Sequence, residues 1–272
     1  MFGNIKKNWC VISMVQDFSN RHLHLGGSDS NTILKSSKFK SVQQLMYEKA
    51  QILENTFDGN VYTLIGDLLE NRIQEVMGFD NVDEIEYEKE YNGIPFKCHI
   101  DGLSKNGKTI LEIKVANKKD VEECYEEYEW QTRTYMYCTD KQETILCLLK
   151  RDGKLKEIAN ECIEKYIPRT NKYKLEYLHS FENYENSVKT NCELFLRDKL
   201  KDFEITRDML ETKTIKRDKK KEKIMLERLE LFWYLKQQLE EDPFLYKDEF
   251  FEWKLETLQY LSSKQIKQLK GE

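Results

Sequence analysis

The stretch Ile94 to Ala116, IPFKCHIDGLSKNGKTILEIKVA, constrains this chain more than any other. Two runs suited to strands flank Asn106-Gly107, a strong short-range hairpin signal. A two-residue turn there pairs Lys105 with Lys108, and counting outward sets Asp101 opposite Glu112. Side chains alternate along a strand, so Lys114 shares the face of Glu112. The other face would set Phe96, Cys98 and Ile100 against Leu111, Ile113 and Val115, and it is expected to be buried. Carboxylates directly opposed on a sheet repel. A divalent cation between them reverses that cost, because hard cations take carboxylate oxygens. The nearby lysine can then hold a phosphate oxygen or an attacking water. The alternative is an ordinary solvated face of an antiparallel sheet, and the rest of the chain must decide between the two.

The 272 residues suffice for one large domain, or for a domain with a substantial extension. With 34% charged and 39% hydrophobic residues, the expectation is a soluble chain rich in surface helix. No apolar run approaches the ~20 residues that cross a membrane, and the N-terminal residues MFGNIKKNWCVISMVQ lack the pattern of a signal peptide. Seven scattered cysteines without a CxxC pair fit reduced thiols in a cytoplasm and give no support for zinc or an iron–sulfur cluster. A net charge of -5 means that any contact with DNA must rely on a local basic channel and on metal ions.

Along the chain, Gly26-Gly27-Ser28-Asp29 reads as a tight turn feeding a helix, with Ser28 or Asp29 as N-cap and Ile33 and Leu34 on the buried side. Ser41 is a second N-cap, opening a helix with Val42, Leu45, Met46 and Ile52 on one face. A helix start suits a phosphate, and Arg21 could add a charge; equally, Ser28 is only a cap and Arg21 an ordinary surface residue. Val61 to Met77 is predicted as a helix with Leu64, Ile65, Leu68, Leu69, Ile73 and Val76 inward. Glu70 lies at the edge of that stripe, aimed either into a cleft, with Gly66 admitting a close neighbour, or at solvent. Val121 to Cys138 is a further helix that places Tyr128, Gln131 and Tyr135 on one face, and residues 143 to 149 form a buried strand. From Ala159 on, the pattern is nearly all helical, with helices expected at Ile224 to Leu239 and Phe244 to Leu269. The basic run Thr212 to Lys223 reads as a solvated face or linker before a DNA contact, and Phe232, Trp233, Phe250, Phe251 and Trp253 as core or a subunit contact before a base-stacking platform.

The order of these pieces resembles the PD-(D/E)XK nuclease superfamily, and within it the YqaJ-type viral recombinase family that includes phage lambda exonuclease. Three segments carry the resemblance over roughly residues 20 to 150: LGGSDSNTIL with KSVQQLMYEK, the I-D-G then L-E-I-K pattern, and the QxxxY helix in WQTRTY. It implies an α/β core with a central mixed sheet flanked by helices, here over residues 1–167; the helical C-terminal extension over 168–272 is where this chain departs from the compact members of that family. The resemblance implies Mg2+ or Mn2+ held by Glu70, Asp101, Glu112 and the backbone carbonyl of Ile113. Lys114 would orient the attacking water and help deprotonate it, and Gln131 would assist. Arg21 and Ser28 would receive a terminal 5′ phosphate of DNA. The activity implied is a 5′ to 3′ exonuclease that digests one strand from double-stranded DNA ends, releasing 5′-phosphonucleotides, in phage-type recombination. Implied partners are further copies of the chain, as in a trimeric ring, and a single-strand annealing protein. The rivals are another nuclease of the superfamily, such as an endonuclease, and a DNA-binding subunit of the same fold without catalysis. The missing cysteine cluster argues against the iron–sulfur branch.

Overall fold

Thr109 to Ala116 alternate apolar residues with Glu112 and Lys114, and they form the middle strand of the molecule. The computed structural model describes residues 18–34, 38, 40–54, 57, 59–80, 85–167, 181 and 184–271. In chain order these hold α1 (Gly27–Ile33), α2 (Val42–Lys49), α3 (Val61–Met77), β1 (Phe79–Asp80), β2 (Glu86–Tyr91), β3 (Ile94–His99), β4 (Gly102–Ser104) and β5 (Thr109–Ala116). There follow α4 (Val121–Thr139), β6 (Glu143–Lys150), α5 (Gly153–Tyr166), α6 (Asn186–Leu200), β7 (Leu210–Lys216), α7 (Lys219–Glu241), α8 (Glu249–Thr257) and α9 (Ser263–Lys270).

The main sheet has the order β1-β4-β5-β6-β7, and β2 and β3 form a separate pair. Strand β5 is antiparallel to β4 and parallel to β6, so the sheet is mixed. Helix α4 makes the long crossover that a parallel pair requires. Side-chain alternation sends Ile110 into one core, with α1, α2, α4 and α7, and sends Leu111 and Ile113 into a second, with α3, α5 and α6. This is the expected α/β arrangement of a mixed sheet flanked by helices. Helix α3 spans the predicted residues, opened by Asn60, whose side chain accepts from the Tyr62 and Thr63 N–H groups, and closed by the left-handed Gly78.

The central hairpin differs from expectation in three ways. First, Ile94 to Ser104 is not one strand: it breaks at Ile100-Asp101, and β3 pairs with β2 rather than with β5. Phe96, Cys98 and Ile100 therefore lie in the first core while Leu111 and Ile113 lie in the second, and the two rows do not face each other. Second, the two-residue turn is at Asn92-Gly93, with φ of 49° and 76°, joining Tyr91 to Ile94. Third, residues 105–108 form a longer loop in which only Gly107 is left-handed, its N–H bonded to the Ser104 carbonyl at 2.6 Å, so Lys105 and Lys108 are not a ladder pair. The pairing Gly102↔Leu111 and Leu103↔Ile110 still carries Asp101 to the level of Glu112, one step past the end of the ladder.

The C-terminal part is not wholly helical. Leu210–Lys216, within and before the run read as a basic linker, is β7, antiparallel to β6 along seven residue pairs. Its lysines Lys213 and Lys216 occupy an edge strand, where charge blocks further pairing. The helix expected from Phe244 to Leu269 is interrupted, because Asp248 and Ser262 each cap a new helix, α8 and α9. Likewise α2 stops at Lys49, which leaves Ile52 outside it.

Candidate active site

The carboxylates meet where β4 leaves β5. Beyond Gly102 the ladder stops, and the Asp101 carboxylate takes the place of a backbone acceptor: its Oδ2 receives the Ile113 N–H at 2.5 Å. In an extended strand the C=O of a residue points to the same edge as its N–H, so the Ile113 carbonyl faces the Asp101 side and not β6. Glu112 is fully buried. Its Oε1 accepts from Lys114 Nζ at 2.6 Å and from Gln131 Nε2 at 2.8 Å, while Oε2, equally buried, has no hydrogen-bond partner. From α3, Gln74 donates to the Asp101 carbonyl oxygen and, at 3.3 Å, to Glu70 Oε1. The structure thus gathers Glu70, Asp101, Glu112, Ile113, Lys114 and Gln131 around one gap in the sheet, and adds Gln74.

Burial raises the Asp101 carboxyl well above its usual range, and the fields of Glu112 and Glu70 add to it. Burial pushes Glu112 up as well, against the pull of Lys114. Burial alone would lower the Lys114 ammonium, but the Glu112 carboxylate outweighs it, with Tyr128 and Asp101 behind, and holds the lysine charged. Lys114 Nζ also lies 4.6 Å from the centre of the Tyr128 ring, a cation–π contact that fixes its direction. Fully buried Glu112 and half-buried Asp101, with one lysine paired to Glu112, leave an excess of acid, which at neutral pH must take up a proton or a cation.

The donor set fits a hard divalent cation. Carboxylate oxygens and a backbone carbonyl are the ligands magnesium and manganese take, and the unpartnered Glu112 Oε2 is a buried acceptor facing no donor. Among the described residues no three His, Cys, Asp or Glu side chains are already drawn together as a metal-binding group. Glu70 is instead engaged with Gln74, and Asp101 with the Ile113 N–H.

Gln131 is fixed by a residue the sequence did not single out. Asn31 of α1 brackets it, its Oδ1 accepting the Gln131 N–H at 2.8 Å and its Nδ2 donating to Oε1 at 3.2 Å. The Gln131 Nε2 that reaches Glu112 also lies 2.7 Å from the Tyr135 hydroxyl, so the QxxxY spacing serves one hydrogen-bond chain. Although GSDSNTI is mostly polar, Asp29, Ser30, Asn31 and Thr32 are all buried. Neither Ser28 nor Asp29 is the N-cap. Gly26 holds that position, and Asp29 reaches back to accept its N–H at 2.8 Å.

The two glycines differ in kind. A Cβ on Gly27 would lie 2.5 Å from a Tyr135 ring carbon and 2.9 Å from Gln131 Cγ, so the close approach of α1 to α4 at this point needs a residue without a side chain. A Cβ on Gly26 would lie 3.5 Å from the Lys97 carbonyl, an ordinary contact. Gly27→Ala is expected to cost about 1–3 kcal/mol of stability and, by displacing Gln131, roughly tenfold or more in any activity of the site. Gly26→Ala is expected to be nearly neutral in both. Urea unfolding of the two variants beside rates of DNA cleavage checks this, and equal effects would contradict it.

Arg21 and Ser28 stand at the edge of this layer. Ser28 is exposed in the first turn of α1, and Arg21 lies 3.9 Å from Asp29. Asp29 is buried against Lys49 at 2.8 Å, and Lys49 also donates to the carbonyls of Arg21 and His24. Burial, then the positive charge of Lys49, lowers His24 to about 4, so its ring is neutral near pH 7. The basic run Thr212 to Lys223 is largely answered by acids: Lys213 by Glu122, Lys219 by Glu222 and Lys221 by Glu129. Of the aromatic cluster, Phe232, Trp233 and Phe251 are buried, whereas Phe250 and Trp253 stack on each other at the surface. No helix among the described residues is long and apolar enough to cross a membrane.

No protein-family model matches the chain, and no curated protein matches it. Among solved structures, a phage-related exonuclease from Haemophilus somnus 129PT superposes with a TM-score of 0.51 at 17% identity, over 81% of this chain and 96% of its own. An alkaline exonuclease from Laribacter hongkongensis matches 67% of this chain and 90% of its own at 20% identity, with a TM-score of 0.38, a likeness too loose to argue from. The chain shares the fold of a phage-related exonuclease, the α/β fold that the resemblance to the YqaJ-type viral recombinase family implied.

Proposed function

We propose that the chain is a metal-dependent deoxyribonuclease that digests one strand of double-stranded DNA from its 5′ end. The observation that carries this reading is the constellation itself: half-buried Asp101 at the level of fully buried Glu112, the Glu112 Oε2 buried without a partner, and Lys114 charged beside it. A structural sheet has no use for a buried carboxylate with a second one at the same level, since the two cost stability unless something neutralises them. The likeness to a phage-related exonuclease supports the reading, since that protein has the same fold.

In this reading Asp101, Glu112 and the Ile113 carbonyl hold Mg2+ or Mn2+, with Glu70 completing the set. Such a cation lowers the pKa of bound water and offsets charge on the attacking and leaving oxygens. The residues of the chain do the rest. Lys114, kept protonated by Glu112, donates to the attacking water or to a phosphate oxygen and so orients one against the other. Gln131, locked by Asn31 and Tyr135, holds Glu112 Oε1 so that Oε2 stays directed to the gap. Arg21 and Ser28 receive the terminal 5′ phosphate, and the Asp29–Lys49 pair fixes the backbone that presents them. Assembly into a ring around DNA and cooperation with a single-strand annealing protein belong to the same proposal.

The test is digestion of a linear duplex carrying a label at either the 5′ or the 3′ end, with a closed circular duplex in parallel. Early release of 5′-labelled mononucleotides with the circle intact supports the exonuclease. Cutting of the circle points to an endonuclease, and DNA binding without cleavage in either metal points to a non-catalytic subunit.

A further inference from the structure

Helix α3 carries a glycine at position 66, where helix formation favours almost any other residue. Its φ is not positive, and a Cβ built there would meet no heavy atom within 4 Å, so neither backbone geometry nor a close neighbour accounts for it. The expectation that Gly66 admits a packed neighbour from the protein is therefore not met. By contrast Gly27 makes room for Tyr135, and Gly78 supplies the left-handed cap of α3.

The place of the gap is informative. Residues four apart share a helix flank, so Tyr62, Gly66, Glu70 and Gln74 run along one side of α3. Gln74 touches the Asp101 carbonyl and Glu70 belongs to the carboxylate site. At the other end the Arg151 guanidinium lies over the Tyr62 ring, 3.7 Å from its centre. One flank thus leads from the acidic site to a cation held on an aromatic ring, with a single vacant position between them.

We infer that Gly66 is the point at which the sugar–phosphate backbone of the strand being cut lies against α3, and that its missing side chain admits the substrate. The inference rests on the nuclease reading. A side chain at 66 projects into the path between Glu70 and Tyr62, where it clashes with the strand and with nothing else. The glycine is retained at the expense of helix stability, which is the trade expected of a position that serves binding.

Gly66→Ala and Gly66→Gln in the full chain test this, with Glu75→Gln on the far flank of α3 as control. Without DNA, Gly66→Ala is expected to raise Tm by roughly 2–4 °C. On a linear duplex with Mg2+, KM is expected to rise about threefold for Ala and about tenfold or more for Gln, with kcat within about twofold. The control should match wild type. Wild-type KM in both Gly66 variants overturns the inference while leaving the nuclease reading intact, as does a fall in kcat alone. Failure of the wild-type chain to cleave with Mg2+ or Mn2+ overturns the nuclease reading and this inference with it.

Discussion

Asp101→Ala and Lys114→Ala are each expected to abolish DNA cleavage, by on the order of 10³-fold or more, while the chain remains folded. The size follows from losing several kcal/mol of charge stabilisation at the reacting phosphate. The two variants should differ in stability. Lys114 is the cation beside the fully buried Glu112, so its removal leaves that carboxylate without a countercharge and costs up to about 3–5 kcal/mol near pH 8. The cost shrinks at lower pH, where Glu112 can be protonated. Asp101→Ala removes an excess acid and should cost less, chiefly the bond to the Ile113 N–H. Cleavage assays beside urea unfolding at pH 5.5 and pH 8 read both effects, and unchanged cleavage by either variant would refute the assignment of the site.

A divalent cation is expected to stabilise the folded chain, and more so as pH rises. Burial raises Asp101 and Glu112 in the fold; the charges of Glu112 and Glu70 add to it at Asp101, and Lys114 opposes it at both. A group raised in this way lends its stability below the unfolded carboxyl value, about 4, and loses it as pH climbs through the folded value. The metal-free chain should therefore weaken as pH rises above that unfolded value and these groups are forced to ionise. Mg2+ or Mn2+ binds the ionised form and restores what was lost. At a cation concentration about 100 times Kd the gain is about 2.7 kcal/mol, or roughly 5–10 °C in Tm, and at pH 5.5 it should be much smaller. Asp101→Asn should shrink the pH-dependent part to the share of Glu112. A Tm that ignores both metals at pH 8 would contradict the donor set.

The site was legible where local rules decide it. Strand alternation joined Glu112 to Lys114, and counting back from Asn106-Gly107 brought Asp101 level with Glu112, which the register Gly102↔Leu111 preserves although the turn has another form. Helices α3 and α4 were legible from their apolar spacing, and with them Glu70 and Gln131. What escaped depends on tertiary partners. The break at Ile100-Asp101 arises because β3 belongs to a second sheet under α4, which no pattern within Ile94 to Ser104 records. Asn92-Gly93 was the matching turn signal, and the short alternating run Glu86–Tyr91 before it is too charged to look like a strand. Strand β7 hid among lysines because only Leu210 and Ile215 of it are buried, one in each core. Asn31 and Gln74 look like surface polar residues until α4 and Asp101 are brought against them.

The most direct test of the central claim is release of nucleotides from a linear duplex labelled at its 5′ end, with and without Mg2+, for the wild-type chain and Asp101→Ala. The account predicts 5′-phosphorylated mononucleotides from the wild type only when the metal is present, and none from the variant. Cleavage that persists in a chelator, or that Asp101→Ala retains, would contradict it.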